Sequence, residues 1–178
     1  MNREGHLGLA LVAVGIVGTL FLLVGSLAGF VLAFVTLVGT AGLPDIDTKT
    51  PIFKHRGWTH TVWFAGVVGI GYGALILGVV WMLPHLGVVP MGALYAVCAA
   101  VLAFLGVMTH VAGDVMTTRG VRPFTPVTPR GIVPIDASRR RYRLNWFRSS
   151  NQVANILTLI LGVMLTLLGF FLTIPVAL

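Results

Sequence analysis

The sequence predicts an all-α, polytopic membrane helix bundle of about five transmembrane helices with a cytoplasmic N-terminus. Three observations carry that expectation. The chain is 57% hydrophobic and 10% charged, against about 25% charge in an ordinary soluble domain. Its apolar residues gather in five continuous runs, where a membrane strand would alternate. Its charges fall in segments that five spans would put on one membrane face. The composition excludes an ordinary cytosolic enzyme, a disordered tail and a fibrous protein. Mean hydropathy is +0.96. The 178 residues suit a single membrane domain, 1–178, with no room for a second sizeable one. The single cysteine, Cys98, allows no intramolecular disulfide.

The first run spans roughly Leu7 to Val24 and the second Leu27 to Leu43, with Gly25 and Ser26 as the turn between them. Each makes a helix about 26 Å long, slightly under a hydrocarbon core of about 30 Å. The third runs from about Thr59 to Leu83 and stops at Pro84. The fourth starts after Pro90 and continues to about Gly113. The fifth runs from about Val153 to Ile174 and stops at Pro175. Ser26-Leu27-Ala28 has the small residues of a leader cleavage site. The run before it is longer than a usual leader core, and Asn2-Arg3-Glu4 is nearly neutral, so a retained helix is expected.

Charge sets the orientation. Arg3 and Glu4 precede helix one. Asp45, Asp47, Lys49, Lys54 and Arg56 separate helices two and three. The remaining eight Lys and Arg residues, all arginines from Arg119 to Arg148, together with Asp114 and Asp136, lie between the end of helix four and helix five. The other loops carry no charge. The positive-inside rule makes the charged face cytoplasmic, and four or six spans would split the basic loops across both faces. The net charge of +7 therefore reads as orientation and as contact with anionic lipid head groups, and a nucleic-acid partner is not expected.

Four of the five histidines fall on that face. His6 stands at the mouth of helix one. Asp45 and Asp47 follow Pro44 after helix two. His55 and His60 flank the entry to helix three, and His110 and Asp114 close helix four. A spacing of four puts the last two on one helix face. His85 is alone on the opposite face. Each residue has a bland reading: an interfacial polar cap, a turn, a local hydrogen bond. Together they favour a metal site. A carboxylate deep in an apolar helix costs up to about 2.5–3.5 kcal/mol and needs a partner. Imidazole and carboxylate are the donors of Zn, Mn or Fe sites. His6, Asp45, Asp47, His60, His110 and Asp114 are the candidate ligands, with Zn or Mn expected and two ions within reach of the donor count.

At these residues the sequence resembles the YdjM-like membrane-bound metal-dependent hydrolases, also described as LexA-binding inner-membrane-associated hydrolases. The motifs that carry the resemblance are Gly5-His6-Leu7, Leu43-Pro44-Asp45-Ile46-Asp47, the stretch His55-Arg56-Gly57-Trp58-Thr59-His60-Thr61, and His110-Val111-Ala112-Gly113-Asp114 running on to Gly120-Val121. They cover roughly residues 5 to 125. Thr61 stands where the family often has Ser, and Thr48 where it frequently has His. The stretch from Thr48 to Lys54 is shorter than in many members. The resemblance implies metal chemistry at an inner membrane and names no substrate.

Residues 115–151 form a polar, cytoplasmic, basic loop. Pro123, Pro126, Pro129 and Pro134 oppose a long helix at its start. Arg139-Arg140-Arg141-Tyr142-Arg143, then Trp146 and Phe147, read first as a juxtamembrane anchor. A sharper reading has Arg143, Arg148 or Arg56 gripping a substrate phosphate.

The expected function is a metal-dependent hydrolase at the cytoplasmic membrane face. It would act on an amphiphilic ester or phosphoester, most simply a phospholipid or polyprenyl phosphate. Metal at these positions would make water nucleophilic near neutral pH. Asp47 could bridge ions or act as base, His55 could move the proton, and an arginine could neutralise charge. The alternative is a non-catalytic metal-binding scaffold, regulator or transporter. The almost purely apolar helix interiors count against transport.

Overall fold

The computed structural model describes residues 1–48, 56–82, 92–125 and 141–177. Among the described residues, five helices are long and apolar enough to cross a membrane, the second when the 3-10 turn that follows it is included, Leu27–Thr48. They are α1 (Arg3–Leu23), α2 (Leu27–Ala41), α3 (Val62–Met82), α4 (Gly92–Met116) and α5 (Gln152–Ala177). At its full length α1 reaches about 31 Å. No strand forms among the described residues.

Several boundaries differ from the sequence expectation for local reasons. Helix α1 begins at Arg3 because Asn2 caps it, its side chain accepting from the Gly5 N–H at 3.0 Å. His6 therefore sits inside the first turns of a helix. Helix α2 ends at Ala41, and Leu43–Thr48 tightens into a 3-10 turn. Ser26 caps the start of α2, accepting from Gly29 N–H, and Gly25 takes the left-handed φ of +73° that the tight α1–α2 turn requires. Helix α5 continues through Pro175 to Ala177.

Helix α1 packs most extensively on α5, α3 on α4, and α2 on both α1 and α4. Small residues make these approaches close. A Cβ added at Gly8 would strike the α5 backbone at Leu159, and one at Gly69 would strike the Ala100 carbonyl on α4. Such contacts suit a membrane, where tight packing and interhelical hydrogen bonds replace the hydrophobic drive. One of these bonds runs from Thr166 Oγ1 to the Leu11 carbonyl at 2.9 Å. The core joins Val14, Ala33, Leu37 and Leu102 from three helices. Large apolar side chains such as Ile70, Leu75, Leu161 and Phe171 point outward, as lipid-facing positions do.

The start of α1, end of α2, start of α3, end of α4 and start of α5 meet at one end of the bundle. Every described arginine lies there. The chain after α4 folds back on itself, with Val121 and Tyr142 exchanging backbone hydrogen bonds at 3.1 and 2.8 Å. Leu144 N–H donates to the Val115 carbonyl at 2.7 Å, and Val62 N–H to the Pro123 carbonyl at 2.9 Å. These bonds fasten the basic segment to the ends of α3 and α4. Buried Asn155 ties in α5: its amide donates to the Ser149 and Asn151 carbonyls and its oxygen accepts from Asn2 N–H.

Candidate metal centre

Four elements bring the polar residues together. Helix α1 supplies His6. The 3-10 turn after α2 carries Asp45 and Asp47. A second short 3-10 turn, Trp58–His60, supplies His60. It is pinned by Thr61, whose hydroxyl donates to the Trp58 carbonyl at 2.7 Å and accepts from Phe64 N–H at 3.2 Å. Helix α4 supplies His110 and Asp114. His6, Asp47, His60, His110 and Asp114 are all buried, whereas the Asp45 side chain is 42% exposed.

The outer hydrogen bonds determine how two imidazoles are presented. His110 Nδ1 lies 2.8 Å from the Ala41 carbonyl, which can only accept, so Nδ1 carries the proton and Nε2 a lone pair. His60 Nδ1 lies 3.0 Å from Thr59 Oγ1, and that hydroxyl donates its own proton to Asp47 Oδ2 at 2.8 Å. The hydroxyl is then an acceptor toward His60, which puts the proton on Nδ1 and the lone pair on Nε2. Both lone pairs face carboxylate oxygens. His110 Nε2 is 3.4 Å from Asp45 Oδ1, and His60 Nε2 is 3.5 Å from Asp114 Oδ2 and 3.9 Å from Asp45 Oδ1. His6 stacks on His110 with ring centroids 3.6 Å apart. Buried His110 Nε2 and His6 Nδ1 have no hydrogen-bond partner among the described residues. Lone pairs aimed at anionic oxygens repel in a dry site, and a cation between them reverses the sign. The donor set fits a divalent metal. Two groups have ligand atoms within 4.8 Å of one another: His6, Asp45 and His110, and His60, His110 and Asp114.

A family model described as YdjM inner membrane protein matches residues 1–177. The chain belongs to the YdjM family. No curated protein and no solved structure matches it. Membership makes this YdjM chain a membrane protein, and the five apolar helices are its candidate spans.

The expected site residues of this YdjM chain separate by position. His6, Asp45, His60, His110 and Asp114 converge as two ligand groups that share His110. Asp47 stands one layer behind. Its Oδ2 accepts from Arg56 N–H at 3.0 Å and Thr59 Oγ1, 3.4 Å from His60 Nδ1. Arg56 Nη2 donates to Asp114 Oδ1 at 2.8 Å, and the Met1 amine binds the same oxygen at 2.6 Å. Arg56 also holds a φ of +61°, strained for a side chain of its size. Arg143 and Arg148 are exposed on the folded-back segment. His55 lies outside the described residues, as do His85, Arg139 and Arg140.

Burial lowers the pKa of His60 to about 4, helped by nearby His110 and opposed by Asp114, Asp47 and Asp45. The neutral ring that a metal needs is thus the form the fold prefers. Burial also pushes the Met1 amine and the Arg56 guanidinium below their ordinary values, with Asp114 working the other way.

Sequence reasoning missed three participants. The Ala41 carbonyl sets the His110 tautomer, but a backbone carbonyl leaves no mark in composition. Thr59 lies inside a motif that was read for its histidines. Arg3, read as a topology signal, lines two cavities beside the centre. One, about 210 Å³, has His6, Asp45 and His110 within and Leu7, Val38, Ala41 and Gly42 as its apolar wall. The other, about 230 Å³, is lined by Met1, Asn2, Arg3, Asp45, Thr48, Arg56 and Asp114.

Proposed function

We propose that the protein is a metal-dependent hydrolase of an amphiphilic ester or phosphoester, a phospholipid or polyprenyl phosphate, at the cytoplasmic face of the inner membrane. The observation that carries this reading is the pair of Nε2 lone pairs, on His60 and His110, directed at the Asp45 and Asp114 carboxylates beside cavities at the bundle end. His6, Asp45, His60, His110 and Asp114 would hold the ion, Zn or Mn by donor type. The ion would supply Lewis acidity to the scissile group and a nucleophile at neutral pH. His110 has one ligating nitrogen, because Nδ1 is committed to Ala41. Both donor groups draw on it, which favours one ion over two.

The chain's own residues do the remainder. Asp47, through Thr59 and His60 Nδ1, holds the His60 ring and tautomer, as carboxylates behind metal-bound histidines do. Arg56 links the two halves of the site, its backbone on Asp47 and its guanidinium on Asp114. Asp45, half exposed between the two cavities, is the carboxylate placed to take a proton from water. In the hydrolysis, the oxygen of water bonds to phosphorus or the acyl carbon, and the ester oxygen leaves with a proton. The positive-inside rule supports the cytoplasmic placement, since every described arginine shares the site's end of the bundle. Exposed Arg119, Arg122, Arg141, Arg143 and Arg148 would rest on anionic head groups.

The test is metal analysis of purified protein, paired with turnover of phosphorylated and acylated lipids in bilayers. One equivalent of a first-row metal and release of a head group or phosphate are expected. Bound metal with no turnover of any amphiphile would instead identify a metal-stapled scaffold. Absence of stoichiometric metal from metal-replete preparations would remove the mechanism.

A further inference from the structure

We propose that the cavity between α1 and α2 is a lateral portal. Through it, the hydrocarbon chain of a phosphorylated amphiphile stays in the bilayer while the anionic head group reaches the metal centre past Arg3. The inference rests on the hydrolase reading and adds the substrate's route and its charge.

The cavity is graded along its length. Its outer wall is Leu7 from α1, Val38 from α2 and Gly42 just past the end of α2, with Leu7 and Gly42 exposed on the surface of the bundle. Its polar side is His6, Asp45 and His110, of which the two histidines are buried. The second cavity continues from there, sharing Arg3 and Asp45 and adding Thr48 and Arg56. An apolar mouth leading to a polar pocket that holds Arg3, Arg56 and the Met1 amine beside Asp45 and Asp114 matches the order of parts in an amphiphile.

Charge selects phosphate over a neutral ester. Arg3 is exposed where the two cavities join, and it makes no ion pair among the described residues. Asp114 is already engaged by Arg56 and the Met1 amine. Arginine matches the planar, bidentate demands of a phosphoryl group. A larger apolar groove of about 670 Å³, lined by Leu27, Val31, Tyr72, Val80 and Tyr95 among others, lies at the far end of α2. It touches none of the polar residues and so offers a chain no path to them.

Two exposed glycines give a matched test. A Cβ at Gly42 or at Gly71 meets nothing within 4 Å, and neither position has a positive φ. Leucine at Gly42 would stand in the mouth of the cavity, whereas Gly71 lies on α3 and lines neither polar cavity. The probe is hexadecylphosphonate, whose carbon–phosphorus bond resists hydrolysis, so binding is read without turnover. It is titrated into metal-loaded protein in nanodiscs. Wild type and Gly71→Leu should bind it equally. Gly42→Leu should bind at least tenfold more weakly, and Arg3→Gln should also lose affinity. A diazirine placed on the chain near the phosphonate should label Leu7, Val38 or their neighbours in wild-type protein. Equal affinity for wild type and Gly42→Leu would overturn the portal, as would labelling confined to the Leu27–Tyr95 groove. Absence of binding to wild type would also overturn it. The photolabelling needs no variant to fold. A portal confirmed without lipid turnover would separate this inference from the hydrolase reading.

Discussion

At His110 one ring nitrogen decides the use of the other. The bond to the Ala41 carbonyl spends Nδ1 and leaves Nε2 for a ligand. Replacing His110 or His60 by Ala should therefore lower bound metal well below one equivalent, read by elemental analysis. It should also lower the melting temperature in excess metal, because native-state binding adds to stability. Asp47→Asn is a subtler probe. The amide keeps the side-chain shape but weakens the hold on Thr59 and His60. Metal should still bind, with affinity reduced about 10–100-fold in a chelator competition. An unchanged affinity would take Asp47 out of the centre. The residue types at the site were legible in the sequence, since His and Asp at helix mouths stand out against apolar runs. Their layering was not. Asp45 and Asp47 are two apart in one motif, and the 3-10 turn, which the sequence did not announce, is what turns one toward the ligands and the other behind His60. The pKa of His60 gives a pH prediction. Its native value of about 4 lies below the ordinary 6.5, so the unfolded chain binds more protons between them. Metal-free protein should keep full stability above about pH 6.5 and lose it as pH falls toward 4, seen as a falling thermal midpoint.

At the scale of helices, glycine is the packing residue. Gly8 of α1 lies against the backbone of α5 at Thr158 and Leu159. Gly8→Leu should force these helices apart and cost at least about 1–3 kcal/mol, the range for overpacking a filled interior. Gly66→Leu, where a Cβ meets nothing within 4 Å, should cost far less. Thermal unfolding in one detergent compares them, and equal losses would contradict the close α1–α5 approach. The five spans were legible because each is an unbroken apolar run, and their ends were mostly placed within a few residues. The partners were not legible. Glycines occur on every helix, so their presence does not say that α1 lies on α5 and α3 on α4. The start of α1 was misplaced because Arg3 and Glu4 read as loop, although the Asn2 cap carries the helix through them.

For the whole molecule, the topology is testable at two exposed positions. In a Cys98→Ala background, Val24→Cys at the α1–α2 turn should react with an impermeant thiol reagent added outside the inner membrane. Ser150→Cys, before α5, should react only after the membrane is opened. Labelling of both from one side would break the five-span arrangement and scatter the proposed centre. The charges agreed with the five apolar runs, because with those spans every basic segment falls on one face. The folding-back of the basic segment was not legible. Its tie to α4 is made by the backbone N–H groups of Leu144 and Trp146, whose side chains carry no pairing signal.

The pairing of α1 with α5 has a consequence for how the protein is made. Helix α1 leaves the ribosome long before α5, the helix it packs on most extensively. Helices α2 and α4 meet earlier neighbours as they emerge and α3 waits only for α4, but the glycine face of α1 must wait in lipid until residue 152 and beyond are synthesised. Asn155, which binds Asn2 beside the His6 turn, arrives at the same late moment. The centre is therefore completed only once α5 has been made. A nascent chain stalled before α5 should be inserted and yet unable to retain metal.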